Sequence, residues 1–360
     1  MIKFNELFDE TKVVNTESSE KTEYFIPWVD KYRPGKIDEL VYQEDVVKML
    51  KNVLITGNLP HLLFYGPPGV GKTSSILAIA RELFGPKKFK ERVIELNASD
   101  ERGINIVRNK IVTLAKTSIS GKDPKYVCPP FKIIILDEAD AMTTEAQSAL
   151  RKTMEDHSNI TRFCFICNYI NQIITPITSR CVKFRFKPID IESMTNKLLS
   201  ISNNEKMEIS KLAIKKISTI SNGDMRKGIM ILQNLNYQNK RIVVNDVLEI
   251  ANMLPISKLS DIVNICISNN KKDSLQVRNK TNELISSGYP VNVILSQLVE
   301  YITASNDLTD KMKAIICYHI SKTEKRLADG ADEYLQVLSV FMCVKSAFLG
   351  IVDSVYEKID

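Results

Sequence analysis

The chain has 360 residues, of which 44% are hydrophobic and 26% are charged. These values are ordinary for a globular protein, and the length allows two or three domains with a substantial core. No apolar run of about eighteen residues is present, so the sequence excludes a membrane-spanning helix and we expect no membrane partner. A net charge of +6 is too modest to indicate nucleic-acid binding by itself.

The first 24 residues contain six acidic and three basic side chains and no apolar signal core. We therefore predict that residues 1–24 form a flexible, solvated tail and not a targeting signal.

The seven cysteines are odd in number and lie in apolar stretches, which predicts free thiols in an intracellular, reducing compartment. Cys164 and Cys167 have the CxxC spacing of a zinc site. They lie in the strand-like run RFCFICNY, however, where side chains three positions apart face opposite sides. We interpret them as core cysteines, because no second CxxC pair follows.

Strand-like and helix-like segments alternate in the first half of the chain. The predicted strands are HLLFYG, VIELN, FKIIILDE, RFCFICN and CVKFRF. Between the first two strands, KTSSILAIARELFG predicts a helix that ends at Gly85-Pro86. A second helix, TTEAQSALRKTMED, opens with a capping-box pattern at Thr144 and Gln147. This alternation predicts a parallel sheet with helices on both faces, in which Ile133–Leu136 is buried on both sides.

The strand signals fade after Pro188, and the remaining pattern is helical and amphipathic. We predict an α/β domain at residues 25–188, a small helical domain at 189–253 and an all-α domain at 254–360. Leu254-Pro255 would form the linker between the two helical domains.

The segment GPPGVGKT, Gly66 to Thr73, matches the phosphate-loop pattern GxxxxGK[ST] between an apolar strand and a helix. Glycines let backbone N–H groups surround phosphate oxygens, while the start of the helix offers its positive end. Lys72 would reach the β- and γ-phosphates, and the Thr73 hydroxyl would ligate Mg²⁺. The sequence therefore predicts a bound phosphate chain and Mg²⁺.

IIILDEAD supplies the acidic partner of this loop. Asp137, at the end of its strand, would hold Mg²⁺ through water opposite Thr73. Glu138 would polarise a water for attack on the γ-phosphate, because it stands at the carboxyl edge of the sheet where ligands bind. A surface glutamate that merely follows the strand is the alternative.

Two further residues are weaker candidates on their own. Asn168 ends the next strand, where an amide can orient water or contact the γ-phosphate, but asparagine commonly ends strands. Arg226 follows Asp224, which we predict to cap a helix with Met225, Ile229 and Leu232 on its buried face. It would either reach a ligand or face solvent.

Several segments resemble, in order, the small subunits of replication factor C, the sliding-clamp loader within the AAA+ ATPases. They are PWVDKYRPGKIDELVYQED, LLFYGPPGVGKTSS, ELNASDERGINIVRNKI, IIILDEADAMTTEAQSALRKTMED, RFCFICNY, ITSRCVKFRF, NGDMRKGIMILQ and RLADGADEYLQV. The segment CPPFK resembles a eukaryotic small-subunit type. The likeness covers nearly the whole chain beyond the tail, and departures occur at Tyr42, Lys152 and Cys167.

The resemblance implies an AAA+ P-loop ATPase domain, a helical lid domain and a C-terminal collar domain for oligomerisation. Val29 and Arg33 would contact the adenine side of ATP. Asn168 would be the first sensor, Arg226 the second sensor and Glu138 the catalytic base. Arg180, in the SRC motif of TPITSRCVKFRF, would be an arginine finger that acts in trans on the ATP of the adjacent subunit. The remaining expected ATP-binding residues are those of the loop and its flanks: Tyr65, Gly66, Pro67, Pro68, Gly69, Val70, Gly71, Lys72, Thr73 and Ser74.

Residues 81–116 contain nine Lys or Arg against five Asp or Glu. Composition alone favours a solvated basic face. The resemblance implies instead that Arg102, Arg108 and Lys110 contact the backbone of duplex DNA, without base specificity.

The expected function is that of an ATPase subunit in a pentameric loader. Its expected partners are other replication factor C subunits, a PCNA-type sliding clamp and primer-template DNA. Alternatives are a subunit shared with a checkpoint or cohesion-type loader, or a structural subunit with a weakly active site. A helicase is disfavoured, because no downstream helicase motif follows the letters DEAD. We expect a nuclear location in a eukaryotic cell, or a cytoplasmic replication site if the protein is viral.

Overall fold

The computed structural model describes residues 26–40, 43–98, 111–116, 121, 125–238, 241–268, 273–306 and 308–349. The predicted tail, residues 1–24, lies outside the described residues. All five predicted strands are present: β1 (Leu62–Tyr65), β2 (Val93–Asn97), β3 (Lys132–Asp137), β4 (Thr161–Cys167) and β5 (Val182–Arg185).

The five strands form one parallel sheet in the order β2-β3-β4-β1-β5. Because β4 lies between β1 and β3, the carboxyl ends of these three strands are neighbours at one edge. Ile133–Leu136 in β3 is fully buried, as its continuous apolar run predicts. Strand β5 is the edge strand beside β1, and Val182 in this strand is 43% exposed.

Helices cover both faces of this sheet, which confirms the predicted α/β architecture. The helices of this part are α1 (Trp28–Lys31), α2 (Glu44–Thr56), α3 (Lys72–Arg92), α4 (Thr144–Asp156) and α5 (Thr175–Thr178), with a helical stretch at 111–116 and short 3-10 turns at Ile37–Glu39, Ala139–Ala141 and Ile170–Gln172. Helices α2 and α3 pack in the core on one face, and α4 and the stretch at 111–116 pack in the core on the other.

The two cysteines of the CxxC pattern are buried on opposite faces of β4. Cys164 belongs to the core beside α3, whereas Cys167 belongs to the core beside α4. They cannot ligate one metal ion together, which confirms their interpretation as core residues. All seven cysteines of the chain are free thiols.

The stop predicted at Gly85-Pro86 is an interruption and not an end. Gly85 leaves the helical region with φ 67° and ψ 169°, and helical structure continues to Arg92. Proline is tolerated in the first turn of the new helical segment. The N–H groups of that turn have no carbonyl partner within the helix, so the missing N–H of proline costs no hydrogen bond. A Cβ atom at Gly85 would lie 2.3 Å from the Tyr126 ring, so this crossing requires glycine.

The capping box predicted at Thr144 and Gln147 is wrong. Thr143 caps α4 one residue earlier, with its hydroxyl accepting from the backbone N–H of Ala146 at 3.3 Å. Gln147 is buried instead, where its amide donates to the carbonyls of Met142 and Gln172 and accepts from the N–H of Ile174. It therefore fixes the segment that leads into α5.

Two helical units follow the sheet, as predicted. The first contains α6 (Ile191–Asn204), α7 (Lys211–Ser221), α8 (Met225–Asn236) and α9 (Val244–Ile250); the second contains α10 (Ile256–Ile267), α11 (Asp273–Ser286), α12 (Val291–Ala304), α13 (Asp310–Ala328) and α14 (Glu333–Phe348). Each unit has its own apolar core. Within the described residues, no helix combines the length and apolarity needed to cross a bilayer.

The linker predicted at Leu254-Pro255 is pinned to the second helical unit. Leu254 is buried, and the side-chain amide of Gln297 in α12 pairs with both its backbone N–H and its carbonyl at 3.0 Å. A short connection of this kind fixes where the second unit begins.

Candidate nucleotide-binding site

A cleft of about 280 Å³ opens at the carboxyl ends of β1, β3 and β4, between the sheet, α1 and α8. This edge of a parallel sheet is where ligands bind in doubly wound folds. Most predicted site residues line it: Val29, Arg33, Pro68, Gly69, Val70, Gly71, Lys72, Thr73, Ser74, Asp137, Glu138, Asn168 and Arg226.

Three predicted ATP-binding residues, Tyr65, Gly66 and Pro67, are not among the residues that line the cleft. The Tyr65 ring packs against the core beside α4. The carbonyls of Gly66 and Pro67 turn towards Lys72 beneath the loop. These residues shape the loop from behind.

Lys72 is the buried cation of the site, with only 8% of its surface exposed. Its ammonium group donates to the carbonyls of Gly66 at 2.6 Å and Pro67 at 2.8 Å, and to Oδ1 of Asn168 at 2.8 Å. Burial lowers the pKa of Lys72, and the nearby Asp137 carboxylate opposes that shift. All three hydrogen-bond acceptors are neutral. A buried ammonium without a directly bonded anion is costly, which suits a site that takes up an anionic ligand.

Thr73 and Asp137 face each other across the cleft. The Thr73 hydroxyl donates to Oδ2 of Asp137 at 2.7 Å. Hydroxyl and carboxylate oxygens at the end of a phosphate loop form the hard donor set that Mg²⁺ prefers, and Mg²⁺ keeps most of its water in such sites. The residues present therefore fit a magnesium ion held between these two side chains.

Glu138 is an exposed residue with a left-handed backbone, φ 52° and ψ 39°. This conformation is uncommon for a residue other than glycine and is found at functional sites more often than elsewhere. The backbone N–H of Glu138 donates to Oδ1 of Asp137 at 2.9 Å. The same carboxylate thus contacts Thr73 with one oxygen and holds the turn that carries Glu138 with the other.

Asp140 is a residue of this site that sequence reasoning missed. Its Oδ2 accepts the backbone N–H of Asn168 at 3.0 Å and that of Tyr169 at 3.3 Å. Because β4 lies beside β3, this carboxylate orients the end of β4, from which the Asn168 amide reaches Lys72. The signal in the sequence was the spacing Asp137-x-x-Asp140, which brings the second aspartate back over the neighbouring strand.

The first helical unit contacts the phosphate loop directly. Asp224 caps α8, as predicted, by accepting from the N–H of Lys227 at 3.0 Å, and the N–H of Met225 donates to the carbonyl of Gly69 at 3.1 Å. A Cβ atom at Gly69 would lie 1.7 Å from Asp224, so this approach requires glycine. Arg226 therefore lies in the first turn of a helix whose N-terminal end contacts the loop, and it lines the cleft.

Other cleft-lining residues were not predicted as site residues: Asp30, Tyr32, Pro34, Leu40, Gln43, Ser75, Ile189, Lys197, Met225 and Ile229. Gln43 shows why. Its side-chain amide donates to the carbonyl of Lys187 at 2.9 Å and accepts from the same residue's N–H at 3.4 Å, which ties it to the exit of β5. A contact between residues 144 positions apart cannot be found from periodicity.

Arg180 does not line the cleft. It follows α5 on the surface, where its guanidinium pairs with Glu155 at 2.6 Å and donates to the carbonyl of Pro176 at 2.7 Å. Glu155 also accepts from Arg151 at 3.3 Å, and the pKa of Glu155 is lowered by its hydrogen bond to Arg151 and by Arg180. Within the described residues, the chain's own phosphate-binding site is built without Arg180.

The predicted DNA-contacting residues Arg102, Arg108 and Lys110 lie outside the described residues, as does Tyr42. The nearby stretch at 111–116 is anchored at the opposite edge of the sheet from the cleft. Lys132 donates to the carbonyl of Leu114, and the Thr161 hydroxyl donates to the carbonyl of Ala115 at 3.1 Å.

A parallel five-stranded sheet with a phosphate loop, an Asp-Glu pair and a capping helical unit defines a P-loop ATPase of the AAA class. Residues 62–189 match the ATPase family associated with various cellular activities, and residues 254–343 match the replication factor C C-terminal domain. A variant of Thermotoga maritima RuvB is 18% identical over 74% of this chain and 85% of its own, with a TM-score of 0.50, and shows the fold alone.

Relatives extend the likeness over nearly the whole chain. Replication factor C subunit 2 of Oryza sativa is 48% identical, covering 87% of this chain and 92% of the relative. Replication factor C subunit 4 of Homo sapiens is 48% identical over 88% of this chain and 86% of its own. Subunit 2 of Schizosaccharomyces pombe is 44% identical over 92% and 97%. The chain belongs to the replication factor C small-subunit family, which confirms the resemblance read from its motifs.

Proposed function

We propose that this chain is one ATPase subunit of a replication factor C clamp loader. ATP binding lets the assembled complex grip an open, PCNA-type sliding clamp and primer-template DNA, and hydrolysis to ADP and phosphate releases both. The loader is a hetero-oligomer, expected to be a pentamer. We propose a nuclear location in a eukaryotic cell, which the eukaryotic relatives support.

The cleft and the family resemblance support the following residue roles. Lys72 binds the β- and γ-phosphates, and Thr73 and Asp137 hold Mg²⁺, the latter through water. When bound, this ion neutralises phosphate charge. Glu138 accepts the proton of the attacking water, and Asn168 and Arg226 contact the γ-phosphate side. Val29 and Arg33 lie on the adenine side.

The single observation that carries this proposal is the environment of Lys72. Its ammonium group is buried among three neutral acceptors, 2.6 to 2.8 Å away, at the floor of an open cleft. All three N–H donors of the ammonium are engaged, so a phosphate oxygen would replace one of the neutral acceptors and form a stronger, charge-assisted hydrogen bond.

The Arg180 finger acts on the ATP of the adjacent subunit. Its position on the surface, outside the chain's own cleft, supports a role in trans. An arginine supplied this way stabilises the charge that develops on the transferred phosphoryl group.

DNA binding by Arg102, Arg108 and Lys110 rests on the family resemblance. Contacts to phosphate position the duplex without reading its sequence. Each contact should steepen the dependence of log K on log salt concentration by about 0.9, so a charge-removing substitution should lower the slope by that amount.

The ATPase assignment is tested by assembling the complex with Lys72→Ala or with Glu138→Gln. Both should lower the DNA-stimulated ATPase rate. The exposed Lys215 on α7 provides a matched control, and Lys215→Ala should leave that rate unchanged. Unchanged rates for both cleft variants would contradict the catalytic assignment.

A further inference from the structure

Helix α1 packs on the first helical unit, although strand β1 follows it in sequence. Trp28 is 5% exposed and belongs to the core formed by α6 to α9, together with Met194, Leu198 and Leu232. The backbone N–H of Trp28 also donates to Oε1 of Gln233 in α8 at 3.0 Å. The start of the described chain is therefore attached to the unit that closes over the phosphate loop.

Glu205 makes the polar part of this attachment. It caps the carboxyl end of α6, and its Oε1 accepts from the Lys31 ammonium and from the Tyr32 hydroxyl, each at 2.5 Å. The Glu205 side chain is 16% exposed, whereas that of Lys31 is 50% exposed. The hydrogen bond between the Tyr32 phenol and the Glu205 carboxylate is thus the more buried part of the cluster.

The ionisation of the cluster agrees with this geometry. Burial and the hydrogen bond to Glu205 raise the pKa of Tyr32 to about 12. Burial alone would raise the pKa of Glu205, but the hydrogen bonds from Lys31 and Tyr32 and the charge of Lys31 together lower it. At neutral pH the phenol is therefore a donor and the carboxylate an acceptor.

The cluster lies directly behind one wall of the cleft. Val29, Tyr32 and Arg33 line the cleft on that side, whereas Lys31 and Glu205 do not. The phosphate loop is tied to the sheet through Thr73 and Asp137. The hydrogen bonds of Glu205 go to α1, whereas those of Lys72 go to Gly66, Pro67 and Asn168.

We propose that Glu205 is a positioning residue for the base of the bound nucleotide: it holds α1 on the helical unit so that Val29, Tyr32 and Arg33 form the base-side wall. This inference rests on the proposed ATP binding. It predicts that a substitution at Glu205 weakens binding of the base and ribose of the nucleotide and leaves binding of the phosphates unchanged.

The test compares ligands with and without a base on the full-length chain. Equilibrium binding of ATP, ADP and inorganic tripolyphosphate, each with Mg²⁺, is measured for the wild type, Glu205→Gln and Tyr32→Phe. Tyr32→Phe removes the hydrogen bond to the charged carboxylate, Glu205→Gln leaves only a neutral acceptor, and each should weaken ATP and ADP binding by about tenfold. Tripolyphosphate binding should stay unchanged.

Trp28 supplies a direct readout, because it is the single tryptophan of the chain and lies in α1. In the Glu205→Gln variant its emission should shift to the red, and saturating ATP should reverse the shift whereas tripolyphosphate should not. The matched control is Glu192→Gln, an exposed glutamate at the other end of α6, which should change neither affinity nor emission.

A double substitution separates positioning from general destabilisation. In the double variant the losses of ATP affinity from Tyr32→Phe and Glu205→Gln should be less than additive, because both substitutions weaken the same contact. Additive losses, an equal loss of tripolyphosphate affinity or unchanged ATP affinity in both single variants would overturn the role of Glu205. A folded wild-type chain that binds neither ATP nor tripolyphosphate would instead contradict the proposed function.

Discussion

Two cations of this chain lie in opposite surroundings. Lys72 is 8% exposed and is enclosed by two carbonyls and an amide at the cleft floor. The Arg180 side chain is 34% exposed and pairs with Glu155, whose side chain is 43% exposed. A buried ammonium without a bonded anion gains most from binding one. An exposed ion pair contributes little, so its partner can be exchanged at small cost.

The difference separates a binding site that the chain forms by itself from a contact that it can make only in the assembled complex. Lys72 is fixed by the loop that the chain itself builds, whereas Arg180 is held at the surface by a replaceable carboxylate. This supports the division of roles in which Lys72 binds the chain's own ATP and Arg180 reaches the ATP of the adjacent subunit.

The largest expected effect is that of removing the Arg180 side chain. In a complex with Arg180→Ala, hydrolysis at the adjacent site should fall by roughly a thousandfold or more, because the finger stabilises transition-state charge there. Single-turnover hydrolysis in a complex whose other sites are inactivated measures this rate. Arg151→Ala, which also removes a partner of Glu155, is the matched control and should leave it unchanged.

Glu138→Gln should slow hydrolysis at the chain's own site by about 10² to 10⁴, the usual contribution of a general base, and should preserve ATP binding. The amide keeps the shape of the side chain but cannot accept the proton. Turnover and equilibrium ATP affinity of the same complex should therefore separate. Equal losses in both would mean that Glu138 acts in binding and not in proton transfer.

A smaller effect is expected at Asp140, whose carboxylate aligns the end of β4. Asp140→Asn should lower kcat by about tenfold to a hundredfold and change KM less, because the amide holds Asn168 without a charge-assisted bond. The measurement is the kcat of the complex in the pH range where kcat no longer varies with pH. An unchanged kcat would show that Asn168 keeps its contact with Lys72 without this support.

The smallest effect contrasts Lys72 with the half-buried His61. Burial, with a minor contribution from Arg162, lowers the pKa of His61 from 6.5 to about 4. The unfolded chain therefore takes up this proton at a higher pH than the folded chain does. Stability that is present at pH 7 is lost as the pH falls through 6.5 towards 4.

His61→Asn should remove that part of the acid sensitivity. Urea titrations at pH 7 and pH 5 give the free energy of unfolding. Between these pH values the wild type should lose about 1 kcal/mol more of it than the variant, a value reduced for the partial exposure of the ring. Equal losses would contradict a neutral His61 in the folded chain at pH 5.

Local patterns were sufficient for much of the fold and for the centre of the site. The apolar run at Ile133–Leu136 predicted a fully buried strand, and the phosphate loop with Asp137 and Glu138 predicted the cleft. In each case neighbouring residues in sequence carry the signal, so periodicity and motif spacing describe the local structure well.

Contacts between distant parts of the chain were not predictable in this way. Tyr32 and Glu205 are 173 positions apart, and Asp140 meets Asn168 only because β3 and β4 are adjacent in the sheet. The capping error at α4 has a related cause, since tertiary contacts with Met142, Gln172 and Ile174 took Gln147 away from the helix end. Packing between elements decided these positions.

The division of roles between Lys72 and Arg180 is tested most directly by photoaffinity labelling of this subunit with an azido-ATP in the assembled complex. Lys72→Ala should abolish labelling of this chain. Arg180→Ala should leave its labelling at the wild-type level while hydrolysis at the adjacent site falls. Loss of this chain's own labelling in the Arg180→Ala complex, with unchanged hydrolysis at the adjacent site, would contradict the assignment in trans.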